Sequence, residues 1–400
     1  MSQLSNKKKF IFDMLLNIAA TAIPTFVLQL AILPQLAKYM SAARYGLLVT
    51  ILAMLNIVPS TMGNALNNVR LIDGEEENGS GDYNALLLIL AAVNLIVVAV
   101  FSYLYEREIT AFSLLLTLIT SLLWLIREYH LVAFRIKINF VYILVSNLTM
   151  VVGYVLGYYL FRMTGRWQYI YILGFVCSLV FIFLKSDLWR EPYRRGERFG
   201  KVTEQTSLLT FAGLLTRITT YADKMLVFPF LGGATVSVYY AATLFGKVVS
   251  LAISPISGVM LSYLSKVRKK NDDVFRMTFF SAAAVCFAGY FACVAVSRPV
   301  LKLLYPQFVD EAMKYIWITT GTMVLTALIT IVNPFVLRFF DMKWQMAVNG
   351  VYVAVYVALS LALLGAFGLY GFCVGTLVAT TLKLICTLLI YHRCKVKSDQ

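Results

Sequence analysis

The sequence predicts an all-α polytopic membrane protein with twelve transmembrane helices arranged in two six-helix bundles. Three observations predict this fold class. Of the 400 residues, 60% are hydrophobic and only 14% are charged, and the mean hydropathy is +0.77, whereas soluble domains are about 25% charged. Apolar stretches long enough to cross a bilayer recur along the whole chain. Basic residues concentrate in the short segments between these stretches.

The apolar stretches place the spans in two sets. The predicted spans lie at about 10–33, 47–67, 85–105, 110–127, 140–161, 168–185, 207–231, 236–264, 277–297, 313–337, 345–366 and 370–391. Between the sixth and the seventh lies a charged segment that contains Pro192 and no long apolar run. We therefore predict an N-terminal bundle at 1–186, a cytoplasmic linker at 187–206 and a C-terminal bundle at 207–400.

The distribution of basic residues predicts the orientation. When both termini are placed in the cytoplasm, the inner loops and tails carry most of the 35 lysines and arginines, as the positive-inside rule requires. The formal net charge of +15 therefore indicates topology and contact with anionic membrane lipids. The basic residues do not form one contiguous face, so we expect no nucleic acid as a partner.

One predicted span carries three charges in its interior. The helix at 207–231 contains Arg217, Asp223 and Lys224, and each charge at the bilayer centre costs about 2.5–3.5 kcal/mol on insertion scales. At 100° per residue the polar side chains fall on one side of this helix. They are Thr216, Arg217, Thr219, Thr220, Tyr221, Asp223 and Lys224. This helix should therefore line a hydrated cavity or hold internally paired charges.

We predict a cationic cavity as the binding site. Its substrate-binding residues are Arg217, Lys224, Lys247 and Lys383, and its polar lining is Thr216, Thr220 and Tyr221. The fork of a guanidinium such as that of Arg217 suits phosphate oxygens. The alternative for Arg217 is an internal ion pair with Asp223 or with another helix. For Lys247 and Lys383 the alternatives are snorkelling or a structural ion pair.

Two carboxylates are candidates for binding a coupling ion. Asp223 is the only carboxylate well inside a predicted span, so it could bind a proton or a sodium ion; the alternative is that it neutralises Lys247 or Arg217. Lys224 points about 100° away from Asp223 around the helix, so the sequence does not pair them. Asp13 lies near the start of the first span, where it would either line the cavity entrance or cap the helix.

Neither an enzyme nor a metalloprotein is predicted. The six cysteines form no CxxC pair, and the two histidines lack the neighbours that a metal site or a catalytic base would need. No G-x-x-x-x-G-K-[ST] loop is present, so direct use of ATP is not expected. We predict no catalytic residue, no metal and no bound cofactor, with an ion gradient as the candidate energy source.

A weak internal repeat relates 33–70 to 228–266. Each copy has a tyrosine at the start of a span, followed by a proline and then a glycine. These residues are Tyr45, Pro59 and Gly63 in the first copy and Tyr240, Pro255 and Gly258 in the second. Both copies start from the same side of the membrane in the predicted topology, which indicates parallel repeats. The alternative is that membrane spans resemble each other through composition alone.

Three segments carry a resemblance to a known family. TYADKMLVFPFLGGATVSVYYAATLFGKVVSLAISPISGVMLSYLSK resembles the seventh and eighth helices of the O-antigen (polysaccharide) flippases of the multidrug/oligosaccharidyl-lipid/polysaccharide (MOP) exporter superfamily. ARYGLLVTI resembles the turn into their second helix, and LKLLYPQFVDEAMKYIWI resembles the link into their tenth. The resemblance covers most of the chain. It implies a MATE-like V-shaped bundle of two six-helix halves.

The resemblance also implies a function. Such proteins move an undecaprenyl-diphosphate-linked oligosaccharide from the cytoplasmic to the periplasmic leaflet of the bacterial inner membrane by alternating access. A polysaccharide polymerase and a chain-length regulator are implied partners. Polymerases and ligases of this pathway resemble one another in having a large periplasmic loop. The longest outer loop predicted here is short, at about 298–312.

Two alternatives stay open. A MATE-type exporter of small molecules would share the architecture, although a small cationic substrate would favour acidic residues in the cavity. Another lipid-linked carrier of the same superfamily, moving a capsule unit or lipid II, would share the chemistry of the headgroup.

Overall fold

The computed structural model of the protein describes residues 16, 18–73, 81–106, 109–246, 249, 253, 257, 260, 264 and 270–393. In this part of the chain the regular structure is helical, without strands. The helices are α1 (Ile18–Tyr39), α2 (Ala42–Asp73), α3 (Asp82–Tyr105), α4 (Ala111–His130), α5 (Val132–Ile136), α6 (Phe140–Thr164), α7 (Gln168–Lys185), α8 (Phe199–Ala242), α9 (Asp272–Leu304), α10 (Val309–Phe339) and α11 (Met342–Arg393). The all-helical, polytopic fold class is confirmed.

Ten described helical stretches are long and apolar enough to cross a membrane, whereas the sequence predicts twelve spans. Two of the ten are each a pair of helices that meet at a glycine with non-helical backbone angles. Gly232 in α8 has φ 75° and ψ 173°, and Gly368 in α11 has φ 60° and ψ −144°. A positive φ costs glycine little because it has no Cβ. Both breaks lie at predicted span ends, and 13 of the 29 residues of the predicted eighth span, 236–264, lie outside the described residues.

The chain forms two compact units. The first comprises Met1–Met40 and Leu47–Met225, and the second comprises Ser41–Gly46 and Leu226–Gln400. The domain boundaries predicted from the sequence, at 186 and 207, stay a prediction.

In the first unit, α6 and α7 pack with their backbones close together. A Cβ at Gly153 would collide with the carbonyl oxygen of Leu173, and a Cβ at Gly157 would collide with the backbone of Ile170. Small residues at such contacts let transmembrane helices approach closely. This packing forms one wall around the buried polar side chains of the unit.

The segment between α7 and α8 is held against the helices of the first unit by an ion pair and hydrogen bonds. Arg70 of α2, whose exposed fraction is 1%, forms an ion pair with Glu191 at 2.6 Å and donates to the Tyr129 hydroxyl at 2.6 Å. Asn84 donates to the carbonyl oxygens of Leu188 at 3.3 Å and of Glu191 at 3.1 Å. Since α8 already begins at Phe199, the predicted linker 187–206 is partly helical and its non-helical part is held in place.

The second unit contains an aromatic cluster made of Tyr45, Tyr240, Tyr305 and Phe308. The ring centroids of Tyr45 and Tyr240 are 5.9 Å apart, and the hydroxyls of Tyr45 and Tyr305 are hydrogen-bonded at 3.2 Å. Tyr45 and Tyr240 occupy corresponding positions in the internal repeat. The repeat itself stays a prediction.

The Arg70–Glu191 pair gives the first testable prediction. Glu191→Ala removes the carboxylate that neutralises a buried guanidinium, and it should lower the free energy of unfolding by about 3 kcal/mol. Unfolding of the purified protein in detergent, together with proteolysis of 187–198, measures the effect. Asp187→Ala is the matched control, because its ion pair with Arg190 is exposed on both sides and should contribute less than about 1 kcal/mol. Equal effects of the two substitutions would contradict the prediction.

Candidate functional site

Arg217 lies where α8 crosses α2 in the first unit. The side chain is half-buried, and its Nη1 donates to the carbonyl oxygen of Asn56 at 3.4 Å. One turn earlier, Gly213 allows close approach, since a Cβ there would lie 2.7 Å from the methyl group of Thr61. Within the described residues, no carboxylate forms an ion pair with Arg217. The ion pair with Asp223 considered as an alternative is therefore not formed.

Asp223 and Lys224 neutralise each other, contrary to what the helical wheel suggests. The Lys224 ammonium lies 2.5 Å and 2.6 Å from the two oxygens of Asp223, and the Lys224 backbone N–H donates to Asp223 at 3.0 Å. The side chain of lysine is long enough to curl back to its neighbour, although the two Cβ directions differ by about 100°. Lys224 is only 4% exposed, and a buried charge needs such a partner.

The end of this polar stretch is anchored to α3. The Tyr105 hydroxyl donates to the carbonyl oxygen of Met225 at 2.9 Å, directly after the Asp223–Lys224 pair. The pair is thus held at a fixed position within the first unit. This restricts how far either charge can move without breaking the contact.

The predicted polar lining lies on the same helix. Thr216 and Thr220 are exposed, and their hydroxyls donate to the carbonyl oxygens of Ala212 at 3.2 Å and of Thr216 at 3.1 Å. Tyr221 is half-buried. Because a hydroxyl donates one hydrogen bond but can accept two, both threonine oxygens keep lone pairs that could accept hydrogen bonds from a polar ligand.

A second carboxylate lies inside a span, which the sequence analysis missed. The apolar stretch that contains α4 continues through α5 to Ile136, so Arg127 and Glu128 lie within it and not at its end. Asp223 is therefore not the only interior carboxylate. The signal was present in LWLIREYHLVAFRI, where apolar residues resume directly after the charged pair.

Arg127 and Glu128 are at the centre of a buried polar network. Arg127 Nη1 lies 3.0 Å from Glu128, and its Nε donates to Ser178 at 2.9 Å. Its Nη2 donates to Asn147, whose amide in turn donates to a carbonyl oxygen of α1 at 2.7 Å. Asn64 of α2 donates to Glu128 at 3.2 Å. The network joins five helices and neutralises both charges internally.

Lys383 lies in the second unit, on the second of the two helices that form α11. Its ammonium is 4.4 Å from the ring centroid of Tyr352, a cation–π contact. Within the described residues, no carboxylate forms an ion pair with Lys383. The other two predicted site residues, Lys247 and Asp13, lie outside the described part of the chain.

The fold is similar to that of solved membrane transporters. The lipid II flippase MurJ in an inward closed conformation matches with a TM-score of 0.70 and 13% identity, over 96% of this chain and 86% of that chain. An inward-facing multidrug resistance MATE family transporter of the MOP superfamily matches with a TM-score of 0.65 and 13% identity, over 93% and 97%.

A third similar structure is the MATE transporter VcmN of Vibrio cholerae in its bent form. It has a TM-score of 0.59 and 12% identity, and covers 98% of both chains. No protein-family model matches the chain, and no curated protein matches it in sequence. Identities this low show a shared fold, which is the fold of MATE transporters and of the MurJ flippase.

The pairing of Asp223 gives a second prediction. A double-mutant cycle of Asp223→Ala and Lys224→Ala should show an interaction free energy of about 1–3 kcal/mol, because the two charges share one contact. Unfolding in detergent measures it. The cycle of Asp223→Ala with Arg217→Ala is the control and should be additive. Strong coupling of Asp223 to Arg217 instead would show that the carboxylate neutralises the arginine.

Proposed function

We propose that the chain is a flippase that moves undecaprenyl-diphosphate-linked oligosaccharide repeat units, of the O-antigen type, across the bacterial inner membrane by alternating access. The supporting observation is that the carboxylates and two of the cations inside the spans have different kinds of partner. The interior carboxylates Asp223 and Glu128 each pair with a neighbouring cation. Arg217 and Lys383 instead contact a carbonyl oxygen and an aromatic ring.

This charge distribution favours an anionic substrate. A carbonyl oxygen and a ring face carry no net charge, so these contacts leave the cationic side chains of Arg217 and Lys383 without a counter-ion among the described residues, inside spans where an isolated charge is costly. A diphosphate would relieve that cost through charge-assisted hydrogen bonds. The headgroup of a polyprenyl-diphosphate sugar supplies this anion, while its hydrocarbon tail stays in the lipid. Exposed Thr216 and Thr220 could accept hydrogen bonds from its sugar hydroxyls.

The fold is compatible with a flippase and does not by itself select the substrate. Among its structural neighbours, one is named as a lipid II flippase and others as MATE transporters. A MATE-type exporter of small molecules is the second candidate. A cationic small molecule would need an accessible carboxylate without a cation of its own, and both interior carboxylates of the described residues are paired. Carriers of capsule units or lipid II share the diphosphate, so charge does not separate them.

Arg217 provides the direct test. Arg217→Ala should abolish surface polysaccharide in a strain that depends on this chain, and the lipid-linked oligosaccharide should accumulate. Arg217→Lys should restore part of the export, because it keeps the charge but loses the bidentate fork. Arg276→Ala is the control, since Arg276 is exposed and its loss should leave export unchanged.

The outcome of that test separates the candidates. Normal surface polysaccharide in Arg217→Ala, with the protein inserted at wild-type levels, would contradict the flippase. Loss of resistance to cationic compounds in the same variant, with no accumulated lipid intermediate, would favour a MATE-type exporter.

Ion coupling gives a further prediction. Among the described residues, Asp223 and Glu128 are interior carboxylates that could exchange a neighbouring cation for a proton or a sodium ion. If Asp223 binds the coupling ion, Asp223→Asn should make transport by reconstituted vesicles insensitive to a collapsed gradient, whereas Glu128→Gln should retain the dependence. The reverse result would assign coupling to Glu128. A gradient response that neither substitution changes would exclude both residues.

A further inference from the structure

A polar stripe runs along the first helix of α11, next to Lys383. Gln345, Asn349 and Tyr352 are spaced i, i+4 and i+7, which places them on one face of the helix. Tyr352 lies against Lys383 at 4.4 Å. All four residues belong to the second unit, and the stripe lies in a stretch of high hydropathy.

The amide groups of this stripe have unused hydrogen-bonding capacity. The Oε1 atom of Gln345 is buried and has no hydrogen-bond partner among the described residues. Asn349 is exposed, although it lies inside a candidate span. An unsatisfied amide away from water is costly. The hydroxyl groups of a ligand could supply the missing hydrogen bonds.

Tyr352 is held in place by other aromatic residues. Its ring stacks on that of Tyr356 with centroids 5.8 Å apart, and Tyr356 lies 6.4 Å from Phe372. Tyr356 and Phe372 are both buried. The Tyr352 ring therefore presents a fixed surface to the Lys383 ammonium and limits the positions that this ammonium can adopt.

The position along the helix suits a headgroup. Lys383 lies about ten residues, or roughly 15 Å, from the end of α11 at Arg393, which is about half of the hydrocarbon thickness. From Tyr352 the stripe extends by two helical turns, through Asn349 to Gln345, toward the end of the first helix that carries exposed Lys343. A ligand entering from the side of Lys343 and Arg393 would meet the amides and then the lysine.

We propose that these residues form a subsite for the diphosphate–sugar junction of the lipid-linked substrate, which rests on the function proposed above. Lys383 binds a phosphate oxygen. Tyr352 is a positioning residue that holds the ammonium through a cation–π contact while no anion is bound. Gln345 and Asn349 form hydrogen bonds with the hydroxyls of the first sugar. The sugar adjacent to the diphosphate is therefore the part of the oligosaccharide that this subsite recognises.

Two probes separate the two parts of the subsite. The full chain in detergent is titrated with a short-chain polyprenyl diphosphate and with the same lipid carrying one hexose, and affinity is read from native mass spectrometry. Lys383→Gln should weaken binding of both probes about tenfold, since each loses a charge-assisted hydrogen bond. Asn349→Ala and Gln345→Ala should weaken only the hexose-bearing probe, down to the affinity of the sugar-free one.

Conservative variants test the positioning role of Tyr352. Tyr352→Phe keeps the ring and should bind both probes like the wild type, whereas Tyr352→Leu should weaken both probes as Lys383→Gln does. Lys302→Gln and Tyr370→Leu are matched controls at exposed positions and should change neither affinity. If Lys383→Gln fails to fold, the contrast between Tyr352→Phe and Tyr352→Leu, with the two amide variants, still decides the question.

The outcomes distinguish this inference from the function on which it rests. Wild-type binding of both probes with no change in the Lys383, Tyr352 and amide variants would overturn the subsite and leave the flippase standing. Equal losses for both probes in the amide variants would overturn the recognition of the sugar. Failure of the wild-type protein to bind either probe would overturn the flippase as well.

Discussion

The structure depends on one constraint, which is that charge placed away from water must be neutralised or solvated. Within the described residues of the first unit, buried and half-buried ion pairs of two kinds meet this constraint. Arg70 and Glu191 join segments that are far apart in sequence, and so they fix the chain after α7 against α2. Arg127 with Glu128, and Asp223 with Lys224, pair adjacent residues of one helix. Because the two charges of such a pair are adjacent in sequence, they neutralise each other within one helix. These two helices can therefore carry charged groups inside a span without a charged partner on another helix.

The same constraint bears on two interior cations for which the described residues show no carboxylate partner. Arg217 is bonded to a carbonyl oxygen and Lys383 lies over a ring, and both partners stabilise a cation without cancelling its charge. Such contacts are weaker than a buried ion pair, so an incoming anion can compete with them without first displacing a carboxylate. This is the behaviour that the proposed flippase requires of its binding site, which must release its ligand as readily as it binds it. A fully compensated site would hold its own counter-ion too tightly.

Composition and periodicity were enough to predict the helical fold class and the approximate span ends, including the breaks beside Gly232 and Gly368. They also placed Arg217, Asp223 and Lys224 inside one span. The pairing of Asp223 with Lys224 was missed because a helical wheel gives the direction of each Cβ and ignores how far a lysine side chain can reach. Glu128 was missed because the fourth span was ended at 127, whereas the apolar helical stretch continues to Ile136. The docking of 187–198 could not be predicted, since it depends on contacts between residues more than a hundred positions apart, such as Arg70 and Glu191.

The internal repeat and the charges differ in symmetry, and this difference bears on function. Tyr45 and Tyr240 occupy corresponding positions of the predicted repeat, and their rings are in contact. The interior charges do not follow the repeat. The described part of α1 has no charged residue before Lys38, whereas the part of α8 that precedes the second copy carries Arg217, Asp223 and Lys224. A substrate with one charged end and one apolar end needs a lining whose charge is concentrated in one place. The concentration of charge in α8 therefore agrees with the proposed amphipathic substrate, which would be held by its headgroup.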